Sequence, residues 1–61
     1  MSNKAKVLSL GDSISVDAAV LDELCAEFFN SEPMDKKSIL QLCDNIQRDV
    51  KALKAIANKE S

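Results

Sequence analysis

Three sets of residues in this chain have side chains and spacings that chemistry could use. Gly11-Asp12-Ser13 is a turn signal that would present the Ser13 hydroxyl at the end of an extended segment. Cys25 and Cys43 lie on either side of Met34 at equal sequence distance, so a chain folded back at Met34 would bring the two thiols close. Carboxylates occur in pairs, Asp22 with Glu23 and Asp44 with Asp49, as general acid–base chemistry requires. Each set meets a limit of composition. The chain has no histidine, so a serine nucleophile lacks its usual base. Two cysteines without histidine would complete a four-ligand zinc site only across a dimer. A Cys25–Cys43 disulfide would contribute about 3 kcal/mol, but in a reducing compartment both thiols act as small apolar fillers. The paired acids point in different directions on a helix and read as solvated surface. A single glycine leaves no phosphate-cradling loop.

The stretch Lys6-Val7-Leu8-Ser9-Leu10-Gly11-Asp12-Ser13-Ile14-Ser15 resembles the first block of the GDSL-type esterases and lipases. The resemblance implies a strand that delivers a Gly-Asp-Ser turn, with Ser13 as nucleophile. It covers ten residues. The later glycine and asparagine blocks that build the oxyanion site are absent, as is the histidine. The expectation is therefore no enzyme, no cofactor and no metal.

The elements around these residues belong to one small domain. At 61 residues the chain is near the lower limit for a self-sufficient core, where a disulfide, a metal or a partner usually adds stability. A composition of 46% hydrophobic and 30% charged residues is globular, not disordered. Phe28 and Phe29 are the only aromatics, so no stacking platform for single-stranded nucleic acid is available. No apolar stretch reaches the roughly 20 residues that span a bilayer, and the N-terminus has no signal-peptide core, which predicts a cytoplasmic protein. The net charge of −2 is segregated: residues 1–16 sum to +1, 17–34 to −5 and 35–61 to +2. An acidic element followed by a basic one can be self-complementary, or can offer an acidic docking face.

Residues 1–16 read as an extended arm, strand or small hairpin, because apolar residues flank the Gly11-Asp12-Ser13 signal and residues 13–16 alternate polar and apolar. A brief helix over 4–10 is the competing reading. Helix 1 is expected over 17–30, with Val20, Leu21, Leu24, Cys25, Phe28 and Phe29 filling a wide apolar arc. Asn30 through Pro33 ends it, with Asn30 suited to the left-handed cap. Helix 2 is expected over 34–58. Its seam, Ile39, Cys43, Ile46, Val50, Leu53 and Ala57, recurs at 4, 3, 4, 3, 4, the rhythm of a helix lying against another helix. A helix 1 of about 13 residues spans roughly 20 Å and leaves the second half of that seam to be covered either by Val7, Leu8, Leu10, Ile14 and Val16 of the arm or by a second copy.

The fold class expected is mainly all-α: an antiparallel two-helix hairpin with an N-terminal arm, dimerising into a four-helix core. The function expected is that of a small regulatory or adaptor protein acting through protein–protein contacts. Ile46, Val50, Leu53, Ile56, Phe28 and Phe29 would mediate self-association, and Asp22, Glu23 and Glu27 would face a basic partner protein. The order strand, helix, turn, helix also resembles the ribbon-helix-helix repressors, which implies a dimeric DNA-binding regulator reading the major groove through residues 13–16 or 7–10. The ribbon would offer serines and Lys6 for base readout, and Asp17 and Asp22 would meet phosphates, which repel them.

Overall fold

The computed structural model describes residues 3–60, and the outermost residues of the expected 1–61 domain lie outside that range. Two α-helices, α1 (Asn3–Phe29) and α2 (Lys36–Glu60), pack against each other as an antiparallel hairpin. The hairpin is a rod of 46 × 16 × 14 Å.

The expected N-terminal arm is not extended. Residues 3–16 are the first half of α1, which runs for 27 residues through Ser9, Gly11, Asp12, Ser13 and Ser15 without interruption. No strand occurs among the described residues, so neither 13–16 nor 7–10 forms the ribbon of a ribbon-helix-helix protein. The physical reason is a heptad rhythm stronger than the local turn signals. Val7, Leu10, Ile14, Leu21, Leu24 and Phe28 all fall on one 3-4 repeat, and Asp17 occupies the missing step. Gly11 costs this helix about 1 kcal/mol relative to alanine, a small loss against the apolar stripe that continuing the helix brings onto α2.

The length of α1 changes the packing problem. At 27 residues against 25, the two helices are equal partners of about 40 Å. The second half of α2 lies against the first half of α1, so residues 3–16 cover it within one chain, as a helix and not as an extended arm. Asn3 Nδ2 donates to Glu60 Oε2 at 2.8 Å and ties the open end of the hairpin.

The turn is defined by its caps. Ser31 N–H donates to the Phe28 carbonyl at 3.1 Å and Glu32 N–H to the Glu27 carbonyl at 3.1 Å, the two bonds of a Schellman motif. The left-handed residue of that motif is Ser31, at φ 77°, not Asn30. On the far side, Asp35 caps α2: its Oδ1 accepts the Ser38 N–H at 3.2 Å, and its carbonyl accepts the Ile39 N–H at 3.0 Å.

Candidate interaction surface

The seam between the helices differs from the expected one by one row. On α2 the side chains turned to α1 are Ile39, Leu42, Ile46, Asp49, Leu53 and Ile56, all half-buried or buried. Three of these belong to the expected seam; Leu42, Asp49 and Ile56 replace Cys43, Val50 and Ala57. The matching row on α1 is Val7, Leu10, Ile14, Asp17, Leu21, Leu24 and Phe28, less covered at its two ends.

Midway along this seam the packing is polar. Asp49 is the most buried residue described, 6% exposed, and its Oδ2 accepts the Ser13 hydroxyl at 2.8 Å. Its Oδ1 lies 3.4 Å from Arg48 Nε, a guanidinium that is itself largely exposed. Asp17 and Asn45, one helical turn away on each strand of the hairpin, are also half-buried, and Asn45 Oδ1 accepts from Gln41 Nε2 at 3.1 Å. No buried side-chain nitrogen or oxygen lacks a partner among the described residues.

This placement bears on the Gly-Asp-Ser reading. Gly11 has no positive φ, and the motif lies mid-helix rather than on a strand-to-helix elbow. Ser13 faces the seam and donates its proton to a carboxylate that is already shared with Arg48. The bond joins two helices at a fixed level; it is not the serine–imidazole arrangement that the esterase resemblance implies.

The cysteines do not face each other. Both thiols are free, with Cys25 exposed and Cys43 half-buried. The Asn3–Glu60 and Ser13–Asp49 contacts set the register of the hairpin, and in that register Cys25 is level with Lys37. Cys43 then lies about six residues further along, roughly 9 Å by helical rise, beyond the ~7 Å Cα separation that a disulfide allows. The turn is centred nearer 31 than 34, which removes the symmetry that suggested the bridge.

The two sides of the hairpin differ in character. In an antiparallel pair, the residue four after each outer seam position lies on the same side of both helices. On one side these are Gly11, Ala18 and Cys25 from α1 with Cys43, Val50 and Ala57 from α2, every one small or apolar. Only Cys43 among them is half-buried; the other five are exposed. On the other side the corresponding residues are Lys6, Ser13, Val20 and Glu27 from α1 with Ser38, Asn45, Ala52 and Lys59 from α2, of which Ser13, Ser38, Asn45 and Ala52 are half-buried. A shallow groove near the turn on this polar side is lined by Val20, Leu24, Lys37, Ser38, Gln41 and Leu42.

The remaining site residues separate into two groups. Ile46, Leu53 and Ile56 are half-buried in the intrachain seam, whereas Val50 lies on the open apolar flank. Phe28 is 51% and Phe29 87% exposed at the turn end, and Asp22, Glu23 and Glu27 are exposed beside them. Sequence reading missed Leu42, Asp49, Gly11 and Ala18. The heptad placement of Val7 and Ile14 was the available signal, since it carries the rhythm of α1 back through Gly11.

No hydrophobic residue among those described is fully buried, and the chain exposes 4982 Å². A compact folded chain of 6.7 kDa exposes about 3,900 Å², so the hairpin has roughly 1,000 Å² of surplus surface. No group of three or more histidine, cysteine or acidic residues is placed to hold a metal among the described residues. No helix there is long and apolar enough to cross a membrane. The chain matches no family model, no curated protein and no solved structure.

Proposed function

We propose that this chain is a small non-catalytic regulatory or adaptor protein that acts by protein–protein interaction through a helical dimer with a four-helix core. One observation carries the reading: two long, well-formed helices bury no hydrophobic residue completely between them. Such a pair has half of a core. Apolar burial is the main stabilising term for a domain of this size, and a second pair of helices supplies the missing half. The surplus of roughly 1,000 Å² compares with the about 800 Å² per partner of a standard specific interface. The acidic group Asp22, Glu23 and Glu27 is exposed at the turn end, a face for a basic partner protein or for the basic end of a second copy.

Sedimentation equilibrium from low to high micromolar concentration, with circular dichroism on the same samples, tests this reading. A dimer whose helicity falls on dilution is the expected result. A chain that stays monomeric and fully helical throughout overturns it.

A further inference from the structure

The charges of the folded hairpin separate between its helices, α1 at a net −3 and α2 at +3, and more strongly along its length. Cut at the level of Val16 and Ile46, the half containing the turn has seven carboxylates against Lys36 and Lys37, a net −5. The half containing the chain ends has six basic residues against Asp12, Asp49 and Glu60, a net +3. The rod is thus an electric dipole 46 Å long, with its open apolar flank running between the poles.

We infer that the flank bearing Gly11, Ala18, Cys25, Cys43, Val50 and Ala57 is covered by a second copy of this chain whose turn lies at the opposite end of the bundle. The inference rests on the dimer reading above and adds its face and its orientation. Two hairpins can stack flat on this flank about a two-fold axis in only two ways. With the axis along the bundle, α1 covers the partner's α2, both turns lie at one end, and two −5 poles meet. With the axis across the bundle, α1 covers the partner's α1, α2 covers the partner's α2, and each acidic turn end lies over a basic open end. The second arrangement sets like helices together, but it lays the strongly acidic half of α1 (residues 17–29, net −4) over the basic half (residues 3–16, net +1) of the partner's α1 and pairs opposite charges at both ends of the rod. The apolar row is suited to it because the flank runs through the middle of both helices, and its small residues let backbones approach closely. The opposite side is a poorer face: it would bury Ser13, Asn45 and Ser38 against the partner.

Two measurements test the orientation. The first uses the unaltered chain: raising salt from about 0.05 to about 0.5 M screens the poles. Opposed turns predict dimerisation weakened about 3- to 10-fold; turns at one end predict a tighter dimer. The second places a spin label at Glu32→Cys in a Cys25→Ala, Cys43→Ala background and reads the distance between labels. A separation near the 46 Å length of the rod is expected. A separation of roughly 20 Å or less, the width of a helix bundle, overturns the opposed orientation while leaving the dimer intact. A monomer at every concentration overturns the dimer reading itself. If the cysteine replacements dissociate the dimer, the sign of the salt effect on the native chain decides the orientation.

Discussion

The two sides of this hairpin have different kinds of residue at equivalent positions. One side has Ser13, Ser38 and Asn45 half-buried, and from it Ser13 satisfies Asp49, the buried acid of the seam, with a 2.8 Å bond. The other side repeats small and apolar residues from Gly11 to Cys25 and from Cys43 to Ala57 and leaves nearly all of them exposed. The polar side has little surface energy to gain from a partner but fixes which residues of α1 are level with which residues of α2. A slip of one heptad would leave the Asp49 carboxylate buried without Ser13, a costly state. The apolar side has no such register device but most of the burial still to be gained. In the dimer proposed above, one side specifies the hairpin and the other would drive assembly.

The strongest way to break this division is to charge the apolar flank. Ala18→Asp together with Val50→Asp places carboxylates at mid-flank on both helices. Dimerisation should weaken by more than about 100-fold, some 3 kcal/mol, measured by sedimentation equilibrium. Ala19→Asp, on the exposed surface of α1 opposite the seam, should change association little and is the matched control. Equal losses from both variants would mean that the flank is no more an interface than the outer surface.

The polar side breaks differently. Ser13→Ala removes the donor to a buried carboxylate and should cost about 2 kcal/mol by chemical denaturation. Adding Asp49→Leu to Ser13→Ala exchanges the polar layer for an apolar one and should recover most or all of that loss. The doubly substituted chain, freed from the Ser13–Asp49 register, should show broadened amide resonances or more than one hairpin alignment. A double variant as uniquely ordered as the native chain would show that register is set elsewhere.

A smaller effect separates stability from both sides. Asp35 caps α2 at the turn and touches neither flank. Asp35→Ala should lower stability by about 1 kcal/mol without altering the dimer's response to salt. A changed salt response would place the turn inside the interface.

The sequence made the hairpin, its polarity and the α2 helix legible, because α2 contains an unbroken heptad repeat with no glycine or proline. It hid the first half of α1. There, Gly11-Asp12-Ser13 is a strong local turn signal, and residues 13–16 alternate as a strand does, while the helical repeat carrying Val7, Leu10 and Ile14 is interrupted at Asp17. Local signals of three or four residues lost to a repeat of 22. A fold placed at Met34 puts Cys25 opposite Cys43, whereas the register set by Ser13 and Asp49 is centred nearer 31. The exchange of Val50 for Asp49 in the seam had a different cause. An apolar side chain is the better guess for a core position, and nothing local reveals that Ser13, 36 residues away, satisfies the acid.

Gly11 sharpens the comparison most finely, because it belongs to the helix of one claim and the flank of the other. A Cβ built at this residue meets nothing within 4 Å, and its backbone is helical. Gly11→Ala should therefore stabilise α1 by about 0.5–1 kcal/mol through helix propensity and unfolded-state entropy. That gain should be seen as higher helicity of the dissociated chain at low concentration, by circular dichroism. Association reads the other half. If a second copy's backbone comes close at Gly11, the added methyl must be accommodated, and the dimer gains less than the monomer or weakens. A dimer stabilised by as much as its two monomers together would place Gly11 at the rim of the interface, with Ala18 and Val50 at its centre.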